Sequence, residues 1–166
     1  AGIILVFVSV FAVMLVNIAL AGTVMDRIQQ KKELVGGITG TQPPLNATTR
    51  DGKIIGLDAD LARLIAANMK VKVNFKTMPF AKLLPALEAG QVDLILSSMT
   101  MTLERNVNVA FVGPYYISGK GILTKTQTIA MLQDSEGLNK PQFKVAALLN
   151  STSQTFAQNA APKAKL

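Results

Sequence analysis

The stretch Val71–Leu96, VKVNFKTMPFAKLLPALEAGQVDLIL, holds one complete strand–helix–strand step. Val71, Val73 and Phe75 alternate with Lys72, Asn74 and Lys76, the period of a strand with one face buried. Pro79 then opens a helix whose apolar face is Leu83, Leu84 and Leu87, and Gly90 supplies a left-handed stop. Val92–Leu96 (VDLIL) is short and almost wholly apolar, as expected of a parallel strand covered on both faces.

The same alternation continues on the N-terminal side. Leu34–Ile38 (LVGGI) reads as a first strand, followed by a polar loop with the turn signals Pro43-Pro44 and Asp51-Gly52. From Asp58 the residues Leu61, Leu64, Ile65 and Met69 recur at helical spacing. Two strand–helix–strand steps predict an α/β fold with a doubly wound, largely parallel sheet. Ligands of such sheets bind beyond the carboxyl ends of the strands. That directs attention to the run after Leu96, Ser97-Ser98-Met99-Thr100-Met101-Thr102-Leu103-Glu104-Arg105.

Further on, a strand is expected at Val107–Phe111, a stop at Gly113-Pro114, and then Tyr115-Tyr116. A second unit starts near Gly121, with a strand at Gly121–Lys125, a polar loop over Gln133–Lys140 and a strand at Phe143–Leu149 (FKVAALL). Asn150-Ser151-Thr152-Ser153 opens a helix that is apolar at Phe156 and Ala160. Two strands and one helix bury too little surface to offset their ordering entropy, so this unit does not close a core alone.

The chain has 166 residues, 49% of them hydrophobic, and a formal net charge of +7. Its basic residues are scattered, and Lys31-Lys32, the one adjacent basic pair, has no interleaved aromatic residues. This pattern suits a solvated surface and not a nucleic-acid interface. The sequence contains neither Cys nor His. That excludes metal sites built on thiolate or imidazole and any Ser-His or Cys-His nucleophile.

Residues Ile3–Leu20 carry no charge, so the whole net charge lies beyond Ala21. Ala19-Leu20-Ala21 places small residues where a signal peptidase requires them. Residues 1–21 therefore read as a signal peptide cut after Ala21, or, if uncut, as a membrane anchor. A basic leading segment is absent and the first residue is Ala, so the start of the coding sequence is expected upstream. Either reading sends the remainder to an extracytoplasmic space.

The run Ser97–Arg105 carries the sharpest chemistry. Ser98 and Thr100 bring hydroxyls to a strand end, and Arg105 brings a planar fork that matches a carboxylate. The competing reading is structural: Thr102 caps a short helix, Glu104 sits in its first turn and Arg105 is solvated. Phe80, at a strand-to-helix junction on the same rim, could stack on a ligand or fill the core. Asn150–Ser153 could hold an anion at a helix start or only cap it.

Five blocks in order are similar to the polar amino-acid-binding proteins of bacterial ABC importers, the family 3 solute-binding proteins. They are Gly56-Leu57-Asp58-Ala59-Asp60-Leu61; Pro79-Phe80 with Leu84-Pro85-Ala86-Leu87; Val92-Asp93-Leu94-Ile95; Thr100-Met101-Thr102-Leu103-Glu104-Arg105; and Phe111-Val112-Gly113-Pro114-Tyr115-Tyr116. The resemblance implies a type II periplasmic-binding-protein fold, two doubly wound lobes with ligand trapped between them. It divides the chain into lobe 1 over residues 22–114, a hinge over 115–119 and the incomplete start of lobe 2 over 120–166.

By the same resemblance, Arg105 grips the α-carboxylate of an amino acid or similar small carboxylate. Ser98 and Thr100 contact its α-amino or carboxylate group, and Phe80 lines the side-chain pocket. Ser151 and Thr152 meet the carboxylate from lobe 2. Thr39, Gln42 and Leu45 occupy the loop where the family usually carries an aromatic or acidic residue, and Thr39 and Gln42 join the ligand-binding set. The lobe 2 loop, Leu149-Asn150-Ser151-Thr152-Ser153, lacks the family's usual Gly. The implied role is a non-enzymatic periplasmic component, monomeric at full length, partnered by an inner-membrane ABC permease and needing no cofactor. Two alternatives are a cyclohexadienyl-dehydratase-like enzyme on the same fold and a membrane-tethered sensory domain.

Overall fold

The computed structural model describes residue 22 and residues 24–125 and 135–166; the expected signal peptide lies outside them. Helix α1 covers residues 24–31, β1 Glu33–Ile38, β2 Thr41–Gln42, β3 Asn46–Thr48 and β4 Ile54–Ile55. Then follow α2 Leu57–Asn68, β5 Lys72–Thr77, α3 Phe80–Glu88, β6 Leu94–Ile95 and α4 Leu103–Asn106. A 3-10 turn at Ser135–Leu138 and α5 at Thr152–Ala160 complete the described elements.

Strand β1 is central. It pairs in parallel with β5 on one side, from Glu33 opposite Lys72 to Ile38 opposite Thr77, and with β6 on the other. The order β5-β1-β6 means that successive parallel strands lie to either side of the first. That places the reversal point of the winding between β1 and β6, and ligands of such sheets bind in the crevice beyond the carboxyl ends of the strands there.

Both faces of β1 are covered, which explains its apolar run. Leu34 packs with Ile28 of α1, Ala66 of α2 and partly buried Val73 and Leu94. Ile38 lies on the same side with Ile54 and Ala59. Val35 points the other way, toward Ala86 of α3, Val92 and Ile95. At Gly37 an added Cβ would stand 3.2 Å from Leu83 and 3.3 Å from Val92, so α3 lies closer than a side chain would allow. The Arg27–Asp93 ion pair and the Val35 N–H, 2.8 Å from Asp93 Oδ2, tie α1 and β1 to the start of the third parallel strand.

Helix α2 turns an alanine face to the sheet: Ala59, Ala62 and Ala66 are buried, whereas Leu64 is exposed. The sequence-based assignment of Leu64 to the buried stripe is thus corrected, because small residues bring the helix close enough for the backbone to do the covering. The expected loop between β1 and α2 contains three short antiparallel strands, β2-β3-β4. Gly56 ends this excursion at φ +110°, where a Cβ would meet the Leu45 carbonyl oxygen and stand 2.7 Å from that of Pro44. The ladder expected over Val92–Leu96 is narrowed to Leu94–Ile95, although Val92 and Leu96 are buried as expected.

The expected strands at Val107–Phe111 and Gly121–Lys125 do not form. Val107, Val112, Ile117 and Leu123 are exposed, and neither segment pairs with the open edges of β5 or β6. Phe143–Leu149 keeps an alternating burial pattern, but its ladder is reduced to one parallel bridge, Lys144 to Lys165. Helix α5 buries none of its residues. Among the described residues no helix is long and apolar enough to cross a membrane.

The collision at Gly56 yields a direct test. Gly56→Ala forces a left-handed conformation on an L-residue and drives its methyl into backbone that cannot swing away. Urea unfolding of the chain should show a loss of about 3 kcal/mol or more, the upper range for strained backbone sites.

Candidate ligand-binding site

The crevice between β1 and β6 is floored by a buried polar network. Thr39 follows β1 and Ser97 follows β6; the Thr39 N–H donates to Ser97 Oγ at 3.0 Å. Thr39 Oγ1 lies 2.8 Å from Asn46 Oδ1 and 2.9 Å from Gln42 Oε1. Ser97 Oγ lies 3.1 Å from the same Gln42 oxygen. Asn46 accepts from the Thr41 N–H at 3.2 Å and donates its own amide to Asp58 Oδ2 at 2.7 Å.

Asp58 is the centre of this network and has no exposed surface. Its carboxylate receives three neutral donors: Asn46 Nδ2, Ser98 Oγ at 3.0 Å and the Tyr115 hydroxyl at 2.8 Å. A buried carboxylate is tolerable only when its oxygens are satisfied in this way. Burial, followed by the bond to Asp58, pushes the Tyr115 phenol above its usual range, so it remains a donor at any physiological pH. Among the described residues every buried side-chain nitrogen and oxygen has a partner.

Above the floor stands a second group. The Arg105 guanidinium lies over the ring of Phe80, 5.7 Å from its centre, within range of a cation–π contact. Phe80 is buried and forms a wall at the start of α3. The two terminal nitrogens of Arg105 donate to two carbonyl oxygens at 2.8 Å each, those of Thr100 and Asn150. Thr100 and Thr152 face each other with hydroxyls 3.3 Å apart. Burial lowers the Arg105 pKa somewhat from its high ordinary value, with Glu104 opposing that shift, and the group stays cationic.

The structure thus gathers Arg105, Thr100, Phe80 and Thr152 into one group. Thr39, Gln42 and Ser98 belong to the floor network beneath it. Ser151 caps α5, its hydroxyl accepting from the Gln154 N–H at 3.2 Å, and Thr102 caps α4 through the Arg105 N–H. Sequence reasoning missed Asp58, Asn46, Ser97 and Tyr115 as parts of the site. A signal for Asp58 was present: it lies three and seven residues before Leu61 and Ile65, a carboxylate on the apolar stripe of its helix.

Comparison with known proteins places this arrangement. The profile of the bacterial extracellular solute-binding proteins, family 3, matches residues 34–162. The L-arginine-binding protein of Pseudomonas aeruginosa is 32% identical over 126 residues, which are 73% of this chain and 46% of that protein. An ancestral amino-acid-binding protein, a precursor of cyclohexadienyl dehydratase, superposes with a TM-score of 0.82 at 36% identity, over 86% of this chain and 63% of the other. The arginine-bound form of domain 1 of the T. maritima arginine-binding protein does so with a TM-score of 0.53 at 37% identity, over 54% and 71%. The chain spans about half the length of the curated relatives it matches. With the type II periplasmic-binding fold of these structural neighbours and a family match across most of its length, the chain belongs to the bacterial extracellular solute-binding proteins, family 3.

Proposed function

We propose that this chain is the ligand-binding part of the substrate-binding component of an ABC importer, exported and monomeric, and that it carries a polar amino acid. The observation that carries this reading is the Arg105 fork, set on a buried aromatic ring and aimed at two carbonyl oxygens, one from the loop after β6 and one from the segment before α5. A guanidinium fork that donates from both terminal nitrogens is matched to the two oxygens of a carboxylate. A ligand α-carboxylate would take the place of the two carbonyls, with Thr100 and Thr152 beside it. The Ser98 hydroxyl oxygen, its proton given to Asp58, would accept from the α-amino group. Phe80 would line the side-chain pocket, Thr39 and Gln42 its floor. Relatives bind arginine and, in a solved complex from Wolinella succinogenes, lysine. Cationic amino acids are therefore the first ligands to try.

Residues 115–119 would be the crossing between lobes 22–114 and 120–166. Ligand favours the closed state because both lobes contact it only there. The ancestral neighbour described as a dehydratase precursor favours a second reading, an enzyme on the same scaffold. General acid–base chemistry would need a proton donor or acceptor free to act. The carboxylate at the floor, Asp58, is already engaged by three donors.

Two measurements test this reading. In calorimetry with L-arginine and L-lysine, Arg105→Ala should lose about 1.5–3 kcal/mol, the value of a charge-assisted pair, or all detectable binding. Arg105→Lys should recover little, since a point charge does not match two oxygens. Unchanged affinity in Arg105→Ala removes the assignment, and a ligand recovered chemically altered after incubation favours the enzyme. Separately, intact mass of the exported protein should begin at Gly22; retention of residues 1–21 would support the membrane tether.

A further inference from the structure

Tyr115 has no counterpart among the residues that face the crevice, yet its hydroxyl sits at a junction. It donates to Asp58 Oδ1 at 2.8 Å and accepts the Ser98 N–H at 3.3 Å. Ser98 holds φ at +52°, a left-handed conformation that serine adopts only at a cost. Its side chain is clasped by the same carboxylate, 3.0 Å from Asp58 Oδ2. Asp58 and Tyr115 therefore hold Ser98 by side chain and backbone together.

Ser98 is where the loop leaves the floor. Ser97 before it is buried in the network, and Thr102 after it is fixed as the cap of α4. Between them lies Thr100, whose carbonyl oxygen orients Arg105. The backbone direction at Ser98 thus decides where Thr100 stands, and through it where the guanidinium points.

We propose that Tyr115 is a positioning residue for the ligand: it sets the left-handed turn at Ser98 and, through Thr100, aims Arg105, without touching the ligand itself. The inference rests on the amino-acid-binding reading for its consequence, but its structural half stands on the loop alone. Because Tyr115 lies at the first residue of the 115–119 segment, it also ties the aim of the arginine to the path by which the chain leaves this unit.

Tyr115→Phe removes the hydroxyl and keeps the ring; Tyr116→Phe is the control. In nitrogen–proton correlation spectra of the chain, Tyr115→Phe should displace the amide resonances of Ser98 to Arg105 and leave those of β1 and β5 in place. Tyr116→Phe should leave the loop unmoved. Affinity for L-arginine should fall about tenfold in Tyr115→Phe, the scale of one charge-assisted hydrogen bond. Loop resonances that do not move, or affinity equal to that of the unsubstituted chain, overturn the proposal. In the unsubstituted chain the Ser98 amide should exchange with deuterium at least about tenfold more slowly than in an unstructured chain. Exchange at the free rate overturns it even where the variant fails to fold. Absence of any binding by the unsubstituted chain counts against the amino-acid reading, while the spectra still decide the role of Tyr115.

Discussion

A carboxylate with no exposure must be solvated by the protein that buries it, and much of this molecule's polar interior is arranged around that requirement at Asp58. Its three donors lie 12, 40 and 57 residues away along the chain. The short antiparallel excursion after β1 brings Asn46, the loop after β6 brings Ser98, and the segment beyond α4 brings Tyr115. Taking an ion from water costs several kcal/mol even after relaxation, so the three segments are not free to arrive independently. The loss of one donor leaves a charge short of solvation, which makes the network close to all-or-none.

Above that floor the location of the site follows from topology. A central strand covered on both faces cannot open sideways, and the parallel strands on either side of it wind in opposite senses. The one place where the backbone parts is at the carboxyl ends of β1 and β6. Thr39 and Ser97 sit there because they are the next residues in the chain. Arg105 comes to the same rim because the loop between β6 and α4 is short and anchored at both ends. The chemistry of the rim, a fork against an aromatic wall with hydroxyls beside it, sits on this scaffold and is separable from what folds it.

The sequence made the periodic parts of the fold readable and little of what lies between them. The alternation at Val73 and Phe75 and the spacing of Leu83 and Leu87 located β5 and α3 because burial on one face leaves a regular trace. The alanines of α2 left none, since a count of large apolar residues favoured Leu64, which faces solvent. Val107–Phe111 satisfied the local pattern of a strand, but a strand exists only where it pairs with a neighbour, and this segment pairs with none. The two- and three-residue strands β2 to β4 are too short to show any period. At the candidate site, Arg105, Thr100 and Phe80 stood out in the sequence, but their chemistry alone left a structural role open and the family resemblance singled them out. Asp58 did not stand out, because a carboxylate in the first turn of a helix also reads as a complement to the helix dipole. Its partners lie on both sides of it in sequence, as far as 57 residues away, and only the fold brings them together.

The parallel sheet also has two ends. On one side the outer border of β5 is open, on a strand that carries the exposed Lys72 and Lys76; on the other, β6 is two residues long. Unpaired strand borders recruit further strands, and charge and brevity are two ways of refusing them. Lys72 and Lys76 put charge on the strand whose border, the longer of the two in this sheet, a second molecule could otherwise extend.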